Sequence, residues 1–121
     1  MLFVTHKEIS VKYSYQAEKF AGARSALMLP HPTGEAASIA SAFHECHVGL
    51  QQLDRSQLDD NARDWLAKLD RFMDTSGLAD PYSQGLWQIK AETLTESKKS
   101  ELSRIIDELA HWFDGEFQDD L

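Results

Sequence analysis

Three segments of the chain repeat their apolar residues with the period of an amphipathic helix, and this repeat restricts the fold more than any other feature. The three segments are 34–53, 57–74 and 96–114. Their apolar positions recur at i, i+3, i+4 and i+7, a spacing that places them along one side of an α-helix. Short breaks rich in Pro, Gly, Ser and Asp separate the segments. Because short connections join elements that pack as neighbours, the pattern predicts an antiparallel helical bundle.

A fourth helix is predicted in the first third of the chain, where alanines and larger apolar residues favour helix from about Val11 onward. The alternation of Ile9 and Tyr13 with polar neighbours also fits a strand, and residues 85–94 alternate in the same way. The predicted fold is therefore mainly α, a four-helix antiparallel bundle, with room for short extended segments near the N-terminus and at 85–94.

The helix ends carry their own signals. Thr33 and Thr95 are predicted N-caps, because a threonine hydroxyl can accept a hydrogen bond from a free amide of the first turn. Gly77 is predicted to follow the end of segment 57–74, and Gly115 to end segment 96–114. Residues 36–42 are mostly alanine and serine, which lets a neighbouring backbone approach closely, so we expect this helix to be central.

The length of 121 residues fits one domain, 1–121, large enough for a core without metal or disulfide support. Cys46 is the only cysteine, so no intramolecular disulfide can form, which suits the reducing cytosol. The first residues do not read as a signal peptide, and no apolar run approaches the ~20 residues of a membrane span. We therefore expect a cytoplasmic protein that does not enter a membrane.

The formal net charge is −8, and it is concentrated near the C-terminus. Residues 101–121 hold seven acids and one base, Arg104, a net charge of −6, whereas residues 1–53 are balanced. A field of this sign repels phosphate backbones and attracts basic proteins. Nucleic-acid binding is disfavoured, and a basic protein partner is favoured.

The sequence His44-Glu45-Cys46-His47 has the residue types of a metal site, since imidazole and thiolate are good zinc ligands. On a helical wheel, His47 falls within the apolar stripe, Cys46 at its edge, His44 at its boundary and Glu45 on the polar side. The four groups therefore do not converge. Two interpretations remain open: His44 and His47 share a divalent metal ion, or His47 is buried and hydrogen-bonded to another helix beside a small apolar cysteine.

A second candidate is Glu108 with His111, because Glu-x-x-His is half of the ligand motif of carboxylate-bridged di-iron bundles. Such sites need two copies of this motif and two further glutamates, and the sequence has one copy. The predicted apolar stripe of this helix is centred on Leu109, which leaves both residues off it. We expect an outward-facing Glu–His pair.

Arg24 and His31 have a spacing that some four-helix ribonucleases use. Pro30 and Pro32 break the helix that would carry both side chains, and the acidic surface opposes RNA binding. The loop that contains His31 could also hold an anion at the start of the next helix, but Glu35 in its first turn would repel one. A rigid inter-helix turn is the preferred interpretation of this loop.

The leading functional hypothesis is a non-enzymatic protein-interaction module of adaptor, immunity or antitoxin type. Its predicted contact residues combine aromatic rings with acids near the C-terminus, a composition typical of binding patches. They are Trp112, Phe113, Asp114, Glu116 and Phe117. The first alternative is a metal-binding or hydrolytic bundle that uses His44 and His47. The second is a homodimer whose histidine face forms the interface.

Overall fold

The computed structural model describes residues 13–28, 31, 34–51 and 53–119, with side chains up to residue 115. This part of the chain contains five α-helices and one 3₁₀ turn, Arg55–Gln57, and no strand. The helices are α1 (Ser14–Ala26), α2 (Glu35–Leu50), α3 (Asp60–Met73), α4 (Leu86–Glu92) and α5 (Glu96–Asp119). In the described residues, none of these helices has the length and apolar character needed to cross a membrane.

The mainly helical class is confirmed, but the extended segment that the sequence allowed at 85–94 is wrong. Residues Leu86–Glu92 form α4. Trp87 and Ala91, one helical turn apart, both turn towards the other helices, and the Trp87 indole donates a hydrogen bond of 3.2 Å to the carbonyl of Met73. Over seven residues, an apolar residue at every second position does not distinguish a strand from two helical turns. The extended segment predicted near the N-terminus lies mostly before Tyr13, outside the described residues.

The Asp80 carboxylate stabilises the loop that leads into α4. Asp80 accepts hydrogen bonds from the backbone amides of Gln84 and Gly85, at 2.7 and 2.8 Å. Gly85 itself has φ of 101°, a conformation that glycine adopts without steric cost. Because the carboxylate binds the amides that precede the helix, it fixes where the helix begins.

The helices pack in a closed order around one core. Helix α1 lies between α2 and α5, α2 also packs on α4, and α3 packs on α5 and more lightly on α4. The buried residues form a single apolar cluster that draws on every helix. The sequence predicted α2 as the central helix, but α1, α2 and α5 each have two extensive neighbours.

Helix α2 approaches α1 closely at Gly49, which lies outside the small-residue stretch 36–42 from which a close approach was predicted. A Cβ atom built at this position would lie 2.8 Å from the Cβ of Lys19 on α1. Ser38 and Ala42 are also buried on α2. Small side chains along this face therefore let the backbones of α1 and α2 come together.

The predicted helix ends are only partly correct. Thr95 does cap α5, because its hydroxyl accepts a 3.2 Å hydrogen bond from a first-turn amide. Gly115 does not end α5, which continues to Asp119; a glycine costs a helix about 1 kcal/mol, and a long helix tolerates it. Gly77, with φ of 79°, lies in a turn four residues after α3 ends at Met73. Thr33 lies outside the described residues.

Asp59 joins the start of α3 to the last third of α5. One carboxylate oxygen accepts the Ala62 amide at 2.8 Å as an N-cap, and the other accepts the Trp112 indole N–H at 3.0 Å. The amide, and then the indole, lower the pKa of Asp59 from its ordinary value of 3.8. A lowered pKa means that the charged form is preferred in the folded state. The contribution of Asp59 to stability is therefore complete above pH 3.8 and is lost as the pH falls through the folded-state pKa.

We expect Asp59→Ser to keep the helix cap but lose the indole bond, and Trp112→Phe to lose the same bond from the other side. Each change should lower the free energy of unfolding by about 0.5–1 kcal/mol, and Asp59→Ala, which also loses the cap, by about 2 kcal/mol. Urea unfolding at pH 7 measures these differences. If Trp112→Phe cost as much in the Asp59→Ser background as in the wild type, the hydrogen bond would not be what couples the two residues.

Candidate functional site

The structure places both His44 and His47 on the exposed side of α2. The prediction that His47 lies within the buried stripe is therefore wrong. The buried face of α2 consists of Ser38, Ile39, Ala42, Phe43, Cys46 and Gly49. It is rotated from the predicted stripe because the alanines and serines of this helix fit either side equally well. Large residues alone fix the orientation, and α2 has few of them.

The two histidines share one neighbour, Trp87 on α4. The ring centroid of His47 lies 5.4 Å from that of Trp87, and the ring centroid of His44 lies 6.5 Å from it. Both imidazoles therefore lie beside α4 on one side of the molecule. Within the described residues, no group of three His, Cys, Asp or Glu side chains is placed to hold a metal ion.

The two residues between the histidines face other surroundings. Glu45 was predicted to point outward, but it is half-buried: it packs over Gly22 of α1, 3.4 Å from the position of a Cβ there, and lies 3.9 Å from the Lys19 amine. Cys46 is fully buried, and burial, followed by the nearby charge of Glu45, raises the pKa of its thiol to about 12. The thiol is therefore protonated near neutral pH and packs as a small apolar group.

A groove of about 620 Å³ opens beside Trp87, between α2, α3 and α4. One wall is fixed by Arg55 and Asp70, which form two parallel hydrogen bonds of 2.7 and 3.1 Å. Leu50, Met73 and Trp87 give the groove an apolar part. His47 is among the described residues that line it.

The predicted contact residues near the C-terminus separate into different environments. Phe113 is fully buried and contacts Tyr13, Phe20 and Trp112, with ring centroids 5.2–5.6 Å apart. Its side chain therefore belongs to the core and is closed to direct contact with a partner. Trp112 is half-buried and Asp114 is exposed. Glu116 and Phe117 lie in the last turns of α5.

The acids of α5 differ in whether a cation neutralises them. Asp107 pairs with Arg24 at 3.0 Å, and Glu101 pairs with Lys98 at 3.3 Å. Glu108 and Asp114 are exposed and make no ion pair with any described residue. The uncompensated charge of the described part of α5 is thus found in its second half.

The two other candidate pairs from the sequence, Glu108–His111 and Arg24–His31, do not form sites. His111 faces outward as predicted, but its Nδ1 lies 2.8 Å from the carbonyl oxygen of Asp107 and 3.6 Å from the Asp107 carboxylate, so its partner is not Glu108. Arg24 points to Asp107 rather than to His31. The Nδ1 of His31 is buried without a hydrogen-bond partner among the described residues.

A cluster of basic side chains was not predicted from the sequence. Lys68, Arg71, Lys90 and Lys98 line a single groove of about 290 Å³, although the chain is acidic overall. They come from three different helices, so no spacing along the sequence links them. The only available signal was the net charge of +1 on residues 81–100.

Comparison with known proteins adds no further assignment. No protein-family model matches the chain, and searches of curated proteins and of solved structures return no similar protein.

Proposed function

We propose that this protein is a non-enzymatic interaction module of the cytoplasm that binds a basic protein partner through the acidic end of α5. One observation carries the proposal. Seven acids and one base occupy residues 101–121, and α5 continues for six residues beyond Phe113, the last buried residue described. Asp114, the first acid after Phe113, is exposed and free to meet a partner.

Exposed acids without a cationic partner are the groups that a basic surface would pair with. Glu108 and Asp114 meet this condition among the described residues. The sequence adds Glu116, Asp119 and Asp120. Charges of one sign concentrated at one place steer an oppositely charged partner towards it and raise the association rate, an effect that falls with ionic strength.

Aromatic side chains beside the acids would supply contact area. Trp112 is half-buried, and Asp114, two positions later on the same helix, is exposed. Phe117 belongs to the same proposed surface by sequence. Phe113 is excluded from direct contact and acts by holding α5 in place. Aromatic rings near charged groups are frequent among the residues that dominate binding energy.

Neutralising four acids tests the proposal. The variant Asp114→Asn, Glu116→Gln, Asp119→Asn, Asp120→Asn removes charge from the proposed surface only. We expect it to lower the amount of partner recovered in a quantitative pull-down from host lysate by at least about tenfold, because each lost ion pair at an interface weakens binding. Wild-type recovery should also fall as salt is raised.

The matched control neutralises four exposed acids elsewhere: Glu18, Asp60, Asp64 and Glu96. Its net charge equals that of the test variant, so it separates position from total charge. The control should retain the partner. Equal retention by both variants, or equal loss, would show that the end of α5 is not the binding surface.

The rival function is metal binding or metal-assisted hydrolysis through His44 and His47. It is favoured by one observation, that both imidazoles lie beside Trp87 on the same side of the molecule. It predicts saturable quenching of tryptophan fluorescence by Zn²⁺ in the untagged protein, abolished by His47→Gln but not by His111→Gln. Quenching that is absent, or equal in both variants, would eliminate this function.

A further inference from the structure

A basic groove lies where α3, the end of α4 and the start of α5 meet. Its volume is about 290 Å³, close to the lower limit for small-molecule sites. Phe72 and Leu94 supply its apolar part. The amine of Lys98 lies 6.0 Å from the centroid of the Phe72 ring. The remaining lining residues are Lys68, Arg71, Lys90, Thr93 and Glu101.

The charge of this groove is opposite to that of the chain. Four cations and one carboxylate, Glu101, line it, a local charge of +3 in a protein of net −8. Like charges gathered in one concave space repel one another, and a groove concentrates their field. An anion held between them would relieve this repulsion.

Two of the four cations have carboxylate partners and two do not. Lys68 pairs with Asp64 at 3.1 Å, and Lys98 pairs with Glu101 at 3.3 Å. Arg71 makes no ion pair with any residue that the structure describes. Lys90 makes no ion pair with a described residue either. The pKa of Asp74 is lowered mainly by two hydrogen bonds from Ser76, and the charge of Lys90 adds only a smaller effect.

We propose that this groove binds a phosphate monoester whose organic part is apolar. A guanidinium donates two parallel hydrogen bonds to phosphate oxygens, and ammonium groups add compact positive charge. The phosphate would lie between Arg71 and Lys90, which have no competing carboxylate in an ion pair. The organic part would contact Phe72 and Leu94. Phosphate esters of this kind occur as free metabolites and as phosphorylated side chains, and the binding chemistry is the same.

The site is separate from the acidic end of α5. Lys98 and Asp114 are 16 positions apart on one helix, about 24 Å along its axis. This separation exceeds the Debye length of ~8 Å at physiological ionic strength, so the acids weaken anion binding only slightly. The two proposals can therefore fail independently.

The test is a titration of ¹⁵N-labelled protein with defined probes, followed by NMR. Phenyl phosphate should give saturable shifts confined to residues around the groove and should bind more tightly than inorganic phosphate. A phosphoserine peptide, compared with its unphosphorylated form, distinguishes the two sources. Binding of phenyl phosphate alone assigns the site to small molecules, and binding of the phosphopeptide as well assigns it to a phosphorylated protein segment.

Three single changes and one control make the titration decisive. Arg71→Gln and Lys90→Gln should each weaken phenyl phosphate binding at least about fivefold, and Glu101→Gln should strengthen it. Arg104→Gln, an equal loss of charge on α5 outside this groove, should change the affinity less than twofold. No saturable binding below about 10 mM, or equal weakening by Arg104→Gln and Lys90→Gln, would overturn the proposal.

Discussion

The packing of Phe113 is the interaction on which the rest of this structure depends. Its ring is fully buried between Tyr13 and Phe20 of the α1 region and Trp112 of its own helix. Tilted and edge-to-face aromatic pairs add about 0.5–1.5 kcal/mol each to the free energy of burial. This cluster holds α5 against α1, and Trp112 extends the connection to α3 through Asp59. The cluster therefore fixes the position of α5 at Phe113 and Trp112.

Helix α5 consequently links two surfaces of opposite charge. Its first turns contribute Lys98 and Glu101 to the basic groove, and its last turns carry the acids of the proposed protein-binding surface. The net charge of −8 does not reveal the basic groove, because acids elsewhere in the chain outnumber its cations. Both proposed binding surfaces would depend on the aromatic cluster that positions α5.

The sequence predicted those features that depend on strong local signals. The apolar stripes of α3 and α5 contain large residues, so their buried faces follow directly from the helical period. The N-cap of α5 at Thr95 was also predicted correctly, because a threonine directly before a helical segment is a strong local signal. The apolar stripe of α2 consists mainly of small residues, which do not define which side of the helix is buried. The prediction that His47 lies on the buried side is wrong for this reason. Seven residues of α4 were too few to separate helix from strand.

The candidate sites were less predictable than the fold, for a different reason. The side chains of the basic groove come from three helices. The order of charges within each helix does not indicate that these side chains lie together in the fold. Phe113 was assigned to a partner-binding surface because aromatic and acidic residues adjoin in the sequence. The helical period turns consecutive side chains about 100° apart, so that the Phe113 ring faces α1 while Asp114 faces solvent.

The most direct test of this account is the stability of Phe113 variants, measured by urea unfolding with His111→Ala as an exposed control on the same helix. Phe113→Ala should lower the free energy of unfolding by about 3–5 kcal/mol, and Phe113→Leu, which keeps the position filled, by about 1–2 kcal/mol. The control should change it by less than about 0.5 kcal/mol. A loss below about 1 kcal/mol for Phe113→Ala would contradict the central role of the aromatic cluster.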